Sequence, residues 1–224
     1  MAKKLKPLVI IGAGGLGREV AWLVCDINRQ RREWDFVGFV DDGVQGTTPE
    51  GYPVLGTLDY FLELPSHPWA VVAIADSEAR KAITQRLHSH GINIATLIHP
   101  SVSMSDFVQI KAGSIICSGA VITTNVILGK ATIVNPKCFI GHDTVLGDFV
   151  SLMPATNLAG EVEVGEGCYF GLNSCVINRT KIGKWSIIGA GATVINDIPD
   201  YSVAVGVPAR VIKHRDTKAR EGTK

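Results

Sequence analysis

The sequence has little net charge, few aromatic residues and no long apolar run. Across 224 residues, 22 Lys and Arg are nearly balanced by 21 Asp and Glu, and aromatic residues make up 7%. Proteins that bind nucleic acid or anionic membranes usually carry an excess of basic residues, so we expect neither partner. No segment reaches the 18 or so apolar residues of a membrane span. The basic start lacks a cleavage site of the signal-peptide kind, and we therefore expect a cytoplasmic protein.

The chain has few cysteines, and their spacing does not match that of a metal site. The five cysteines form no Cys-x-x-Cys pair, and their number is odd; they are Cys25, Cys117, Cys138, Cys168 and Cys175. Disulfide-stabilised and zinc-binding domains use paired, closely spaced cysteines. We therefore expect reduced thiols and no metal site.

Residues 7–96 alternate between strand-like and helix-like segments. Helical spacing of apolar residues predicts helices over 18–30 and 78–90, the second capped by Ser77. Short apolar runs predict buried strands over 8–12, 36–42 and 69–76. Strands that alternate with helices are typical of a parallel sheet, so we predict a Rossmann-like α/β domain over residues 1–97.

From residue 98 the period changes to six. An apolar residue stands at 17 consecutive sixth positions: Ile98, Met104, Ile110, Ile116, Ile122, Leu128, Val134, Ile140, Leu146, Leu152, Leu158, Val164, Phe170, Val176, Ile182, Ile188 and Val194. Small residues recur four positions later, and glycine often follows the apolar residue directly. A fixed period of this kind indicates stacked repeats. We predict a β-solenoid domain over 98–224, in which the glycines relieve the bends.

A glycine-rich loop, Gly12-Ala13-Gly14-Gly15-Leu16-Gly17, links the first strand to the first helix. Backbone amides at a helix N-terminus bind phosphate, and the acidic pair Asp41-Asp42 follows the second strand, where a ribose is commonly bound. A nicotinamide dinucleotide site is one interpretation. The domain is only half of a full dinucleotide fold, which favours a nucleotide-sugar. The third interpretation is a loop kept for tight packing alone.

The stretch "FIGHDTVLGD" places His142 and Asp143 between two core positions of the repeat. Residues 18 apart stack in neighbouring coils, so Thr124 and Gly160 should flank His142 and leave room for its ring. A carboxylate that accepts from one imidazole nitrogen fixes the tautomer and makes the other nitrogen more basic. The pair is either a general base with its acidic partner or an exposed structural pair.

The hexapeptide period, the "GAGGLGREV" loop and the ending "NDIPDYSVAVGVPARVIK" together resemble the hexapeptide-repeat sugar acetyltransferases. The similarity covers about residues 7–213. It extends to the transferases of pilin and N-glycan glycosylation, to perosamine N-acetyltransferases and to sialic acid O-acetyltransferases. The resemblance implies a left-handed parallel β-helix with three hexapeptides per coil, about five coils over 98–197. It also implies a homotrimer, with acetyl-CoA as cosubstrate and a nucleotide-sugar as acceptor.

The resemblance also implies roles for individual residues. It makes His142 the general base and Asp143 its partner. The residues matching substrate contacts are Gly14, Gly15, Leu16, Asp41, Asp42, Ala75, Asp76 and Asn135. Those matching acetyl-CoA contacts are Ser151, Leu172 and Ala190. Relatives often have histidine where this chain has Leu16 and Ser151.

We therefore predict an acetyl-CoA-dependent N-acetyltransferase that acts on a nucleotide-linked amino sugar in surface-glycan or glycoprotein biosynthesis. No cysteine or serine nucleophile is needed, so transfer would be direct. O-acetylation of sialic acid or another sugar is the enzymatic alternative. A non-catalytic trimeric scaffold that binds sugar nucleotides is the alternative of another class, and a nicotinamide oxidoreductase is the least favoured.

Overall fold

The computed structural model describes residues 4–215; residues 1–3 and 216–224, at the outer ends of the two predicted domains, lie outside the described part. The N-terminal part consists of β1 (Lys6–Ile11), α1 (Gly15–Gln30), β2 (Trp34–Val40), α2 (Leu58–Leu62), β3 (Trp69–Val72) and α3 (Ser77–Ser89). Its three strands are parallel, in the order β2-β1-β3. This arrangement confirms the predicted α/β class.

Local details of this part differ from the prediction. The N-cap of α3 is Asp76, whose carboxylate accepts a hydrogen bond from the Ala79 amide at 2.8 Å, and the predicted cap Ser77 is the first helical residue. Strand β2 ends at Val40, so Asp41 and Asp42 lie in the loop after it. The short helix α2 was missed, because one turn of helix carries too few residues to show a period.

The repeats form a parallel β-helix of two-residue strands on three faces. Face 1 consists of β4 (Leu97–Ile98), β7 (Ile115–Ile116), β10 (Ile133–Val134), β13 (Ser151–Leu152), β16 (Tyr169–Phe170) and β19 (Ile187–Ile188). Face 2 consists of β5 (Ser103–Met104), β8 (Val121–Ile122), β11 (Phe139–Ile140), β14 (Asn157–Leu158), β17 (Cys175–Val176) and β20 (Thr193–Val194). Face 3 consists of β6 (Gln109–Ile110), β9 (Ile127–Leu128), β12 (Val145–Leu146), β15 (Glu163–Val164) and β18 (Lys181–Ile182).

Six strands on each of two faces and five on the third make nearly six turns, slightly more than the five predicted. Two longer strands, β21 (Ser202–Val205) and β22 (Arg210–His214), extend face 1 at the C-terminal end as an antiparallel pair. Every sixth residue from Ile116 to Val194 is buried in one continuous core. The apolar period therefore marks the side chains that fill the prism, as predicted.

The bends of the β-helix lie two residues after the repeat glycines. The fourth residue of each repeat adopts a left-handed φ at 14 consecutive turns: Gly113, Gly119, Asn125, Ala131, Lys137, Asp143, Phe149, Ala155, Glu161, Gly167, Asn173, Arg179, Trp185 and Gly191. The prediction that the repeat glycines relieve the bends is therefore wrong. A Cβ on Gly147, for example, would lie 2.7 Å from the Glu166 amide nitrogen in the next coil. These glycines are needed because consecutive coils approach each other closely.

The N-terminal part packs on the first coils of face 1. Outward-facing Leu97, Ile115 and Ile133 of this face are completely buried in one cluster with residues of α1 and β1. Nδ1 of His99 accepts from the Ser101 amide, so its Nε2 donates to the Asp26 carboxylate of α1, at 3.2 Å. Lys81 of α3 pairs with Glu166 at 2.6 Å. Apolar residues on the outside of face 1 thus attach the two parts to each other.

Candidate active site

His142 and Asp143 project from the corner between faces 2 and 3, called corner 2–3 (residues 105–108, 123–126, 141–144, 159–162 and 177–180). The Nδ1 of His142 lies 2.8 Å from Oδ2 of Asp143, and the two side chains are 56% and 50% exposed. Asp143 has a φ of 58°, which turns its carboxylate back toward the preceding residue. Asp tolerates this left-handed conformation better than most residues.

Asn125, one coil earlier, supports the carboxylate from the other side. Its amide donates to Oδ1 of Asp143 at 3.2 Å. The hydrogen bond from His142, followed by that from Asn125, lowers the pKa of Asp143 below its usual 3.8. An ionised carboxylate only accepts hydrogen bonds, so Nδ1 of His142 carries the proton that it donates to Asp143. The Nε2 atom of the neutral ring is then free to accept a proton.

Asn125 was not among the site residues predicted from the sequence. The residue stands 18 positions before Asp143 at the same left-handed turn position, and both turn residues have short polar side chains. The 18-residue stacking rule applied to Asp143 as well as to His142 would have found it.

Gly160 provides space for the imidazole ring. A Cβ on this residue would overlap Nε2 of His142 and lie 2.5 Å from its Cε1. The backbone amide of Asp143 donates to the Thr124 carbonyl at 3.0 Å, and that of Glu161 donates to the His142 carbonyl at 2.7 Å. Thr124 and Gly160 therefore flank His142 in the neighbouring coils, as the 18-residue spacing predicted.

Leu172 and Ala190 lie at a different corner of the prism, between faces 1 and 2, called corner 1–2 (residues 99–102, 117–120, 135–138, 153–156, 171–174 and 189–192). Both are exposed, Leu172 to 55%. The Gly191 amide donates to the Leu172 carbonyl at 2.8 Å, so the two residues belong to neighbouring coils. The fold thus brings these two predicted acetyl-CoA contacts together, but face 2 separates them from His142 of the same chain.

Asn135 and Ser151 are buried, and their polar groups are engaged within the chain. The Asn135 amide donates to the Leu152 carbonyl at 2.8 Å. The Ser151 hydroxyl donates to the Ala75 carbonyl at 2.9 Å and accepts from Arg80 at 2.9 Å. Their assignment to substrate and acetyl-CoA binding stays a prediction, and these internal hydrogen bonds argue against it.

The glycine loop divides into packed and open positions. A Cβ on Gly17 would overlap the Gly12 carbonyl oxygen, and Gly12 itself has a φ of 104°. Gly12 and Gly17 are therefore needed for the tight packing of α1 against the end of β1. By contrast, a Cβ built on Gly14 or Gly15 would meet no atom within 4 Å apart from the adjacent residues and the backbone of α1. Gly14 is the N-cap of α1, which begins at Gly15 without a side-chain cap. Their exposed amides are therefore accessible to an anion. The neighbouring Leu16 is half-buried against the core.

A cleft of about 200 Å³ lies beside this loop, where the three parallel strands end. It is lined by Ile11, Gly12, Val40, Asp41, Asp42, Gly43, Leu58, Ile74 and Ile83. Ligands of open α/β sheets bind at this edge. Of the predicted nucleotide contacts, Asp41 and Asp42 line this cleft, and Ala75 directly follows Ile74 of its wall. Asp76 lines a separate cavity of about 300 Å³ with Ser77 and Arg215.

The two aspartates of the cleft also organise its walls. Asp41 accepts hydrogen bonds from the amides of Ala13 at 2.7 Å, Gly43 at 2.8 Å and Val44 at 2.9 Å. Asp42 accepts one from the Leu58 amide, the first residue of α2, at 2.8 Å. Asp41 therefore fixes the glycine loop relative to the loop after β2. Its contact with a ribose stays a prediction.

No other candidate centre emerges from the part of the chain that the structure describes. Burial raises the pKa of the Cys117, Cys138 and Cys168 thiols to about 12. Those thiols are therefore protonated at neutral pH and unsuited to act as nucleophiles.

Within residues 4–215, no group of three or more His, Cys, Asp or Glu side chains is arranged to hold a metal ion. No helix there is long and apolar enough to cross a bilayer.

A hexapeptide β-helix with an exposed His-Asp pair and an N-terminal half-Rossmann domain defines a class of acyltransferases. Comparison of the chain with known proteins identifies the family within that class. Residues 7–87 match the family model described as PglD N-terminal domain. The chain is 32% identical to GDP-perosamine N-acetyltransferase of Escherichia coli O157:H7, over 93% of this chain and 97% of that protein.

Solved structures agree in fold. The acetyltransferase domain of PglB from Neisseria gonorrhoeae, in complex with acetyl coenzyme A, superposes with a TM-score of 0.86 at 32% identity, covering 93% of this chain and all of that one. PerB from Caulobacter crescentus, in complex with CoA and GDP-perosamine, gives 0.82 at 30% identity, covering 94% of this chain and 99% of that one. The chain belongs to the hexapeptide-repeat sugar acetyltransferases and is an enzyme of that family.

Proposed function

We propose that this protein transfers the acetyl group of acetyl-CoA to the amine of a nucleotide-linked amino sugar. The observation that carries the proposal is the exposed Asn125–Asp143–His142 chain of hydrogen bonds, on a fold whose relatives bind acetyl-CoA and GDP-perosamine. The open glycine loop and the cleft beside Asp41 and Asp42 would hold the nucleotide.

His142 acts as the general base in this proposal. A sugar amine that attacks a thioester must lose a proton as the C–N bond forms, and Nε2 of His142 accepts it while Nδ1 remains hydrogen-bonded to Asp143. The electron pair of the breaking C–S bond leaves with CoA, which takes up a proton as the free thiol. Turn amides near His142 would stabilise the negative charge that develops on the carbonyl oxygen. The buried, protonated thiols of Cys117, Cys138 and Cys168 favour direct transfer over an acyl-enzyme.

The complete site lies between copies of the chain. His142 stands at corner 2–3, whereas the exposed pair Leu172 and Ala190 stands at corner 1–2, on the far side of face 2. Val121 and Phe139 leave apolar surface exposed on that face. A homotrimer, in which corner 2–3 of one copy meets corner 1–2 of the next, brings the base to the thioester. Backbone groups beside Leu172 and Ala190 would then contact the pantetheine arm.

Leu16 bears on the identity of the sugar and its nucleotide. Leu16 gives the nucleotide loop an apolar side chain where relatives often have histidine, which favours a sugar that differs from theirs. O-acetylation of sialic acid is the second candidate, because a hydroxyl acceptor needs the same base. The His142–Asp143 geometry disfavours a non-catalytic scaffold.

One assay separates these functions. Thiol release from acetyl-CoA is measured with UDP-, GDP- and CMP-linked amino sugars and with free sialic acid, for the wild type and for His142→Ala. We expect turnover of a nucleotide-linked amino sugar only, and a loss of at least 100-fold in His142→Ala, since a general base contributes about 10²–10⁴-fold. Turnover of sialic acid alone would establish the O-acetyltransferase instead. A His142→Ala rate within a few-fold of wild type would disprove the role of the base.

A further inference from the structure

Arg80 is a completely buried cation at the junction between the two parts of the chain. It lies in α3, and burial lowers the pKa of its guanidinium to about 9. All its hydrogen-bond partners are uncharged oxygens. The Asp76 carboxylate lies near enough to offset part of the cost of burial, but burying a charge whose direct partners are all neutral is still costly. A cation kept in this position therefore implies a function for the contacts it makes.

On one side, Arg80 holds the turn between β3 and α3. Its Nη1 donates to the carbonyls of Ile74 at 2.6 Å and Ala75 at 3.0 Å. Ile74 lines the candidate nucleotide cleft, and Ala75 and Asp76 follow it toward the start of α3. The guanidinium therefore fixes the backbone of one wall of the cleft from behind.

On the other side, Arg80 is anchored in the β-helix. Its Nε donates to the Ala131 carbonyl at 2.8 Å, and its Nη2 donates to the Phe149 carbonyl at 2.6 Å and to the Ser151 hydroxyl at 2.9 Å. That hydroxyl in turn donates to the Ala75 carbonyl at 2.9 Å, which closes a ring of hydrogen bonds through Arg80, Ser151 and Ala75. The cleft wall is therefore attached to two consecutive coils.

We propose that Arg80 and Ser151 are positioning residues that hold the β3–α3 turn in its nucleotide-binding shape, with the β-helix as the rigid support. The inference rests on the proposed function, because it presumes that the cleft binds the nucleotide of the sugar substrate. It gives Ser151 a role in nucleotide affinity, where the resemblance to other transferases implied a contact with acetyl-CoA. Neither side chain touches the nucleotide, and each acts through the backbone of Ile74 and Ala75.

The test compares ligand affinities in three variants of the full chain. Ser151→Ala removes one hydroxyl from the ring, and Arg80→Lys removes the fork that reaches both sides. Lys81→Met is the matched control, because it breaks the Lys81–Glu166 contact between the same helix and the β-helix without touching the turn. Calorimetric titration gives the Kd of GDP, UDP, CMP and CoA for each variant, and thermal unfolding checks that each variant is folded.

We expect Ser151→Ala to weaken binding of the preferred nucleotide about tenfold, the effect of losing one hydrogen bond to a buried charged group. Its CoA affinity should stay within about twofold of wild type, and Lys81→Met should change neither ligand. Arg80→Lys should lose more nucleotide affinity than Ser151→Ala, and Ser151→Ala alone decides the test if Arg80→Lys does not fold.

Two results overturn the inference alone: unchanged nucleotide affinity in Ser151→Ala, or an equal loss in Ser151→Ala and Lys81→Met. If the first of these results comes with a loss of CoA affinity in Ser151→Ala, it also supports the acetyl-CoA contact. A wild-type protein that binds none of the three nucleotides contradicts the proposed substrate, and the inference with it.

Discussion

The imidazole of His142 occupies the space that a side chain at Gly160 would fill, one coil further along the β-helix. Gly160 does not have a left-handed φ, so alanine fits its backbone conformation, and the three atoms that an added Cβ would meet most closely all belong to the His142 ring. We predict that Gly160→Ala displaces the ring and lowers kcat at least tenfold, because a misplaced base loses much of its effect.

Steady-state kinetics and thermal unfolding of Gly160→Ala test this prediction. Asn178→Ala is the control, since Asn178 holds the equivalent position of corner 2–3 one coil beyond Gly160 and should leave kcat unchanged. A Gly160→Ala enzyme as active as Asn178→Ala would show that the ring position does not matter.

Asp143 should titrate below its usual pKa of 3.8, because hydrogen bonds from His142 and Asn125 stabilise the carboxylate. A group whose pKa is lower in the folded protein stabilises the fold above its unfolded pKa, and this contribution disappears as the pH falls through the folded value. Asp143 therefore stays ionised across the neutral range, and its titration leaves the pH–rate profile unchanged between about pH 5 and 9.

Carbon-13 NMR of the Asp143 carboxyl group measures this titration directly. His142→Ala should raise its pKa more than Asn125→Ala does, since the hydrogen bond from His142 is the larger cause. A wild-type Asp143 that titrates above 3.8 contradicts the hydrogen bonds from His142 and Asn125.

Mixing two inactive variants tests whether the site lies between copies. His142→Ala removes the base, and Ala190→Arg should block the predicted acetyl-CoA corner with a long charged side chain. If each site combines His142 of one copy with Ala190 of the next, trimers refolded from an equal mixture regain about one quarter of the wild-type sites.

Each variant refolded alone serves as the control for the mixing experiment and should stay inactive. Restored activity is measured as thiol release from acetyl-CoA. If the mixture is no more active than the separate variants, the base and the acetyl-CoA corner act within one chain.

Replacement by glycine should have opposite effects on the free energy of unfolding at Ala155 and at Ala159, which lie at successive corners of the β-helix. Ala155 has a φ of 59°, a conformation that costs a residue with a Cβ about 1 kcal/mol, whereas Ala159 lies outside the left-handed region. We predict that Ala155→Gly raises the free energy of unfolding by about 0.5–1 kcal/mol, whereas Ala159→Gly lowers it by a similar amount through the added freedom of the unfolded chain. Urea unfolding monitored by circular dichroism provides both values, and a shift of the same sign in both variants refutes the assignment.

The sequence determined the architecture because the solenoid repeats one local rule. A side chain that points into the prism recurs every sixth residue, so the period alone located Ile140, Leu146 and the other core positions, and the 18-residue stack placed Gly160 against His142. The α/β class of the N-terminal part was likewise predicted correctly from the alternation of strand-like and helix-like segments. Residue types alone also made the His142–Asp143 pair visible, as the two polar side chains between core positions.

Which face of the β-helix is covered, and what the buried polar groups do, depends on long-range packing that became visible only in the folded structure. Ser151 and Asn135 occupy positions that the repeat leaves pointing outward or to a corner, yet contacts beyond the repeat bury both. The burial of Arg80 depends on how α3 packs against two coils that are 51 and 69 residues away in the chain. Hydrogen bonds over such separations follow from the docking of whole elements, and no local period encodes them.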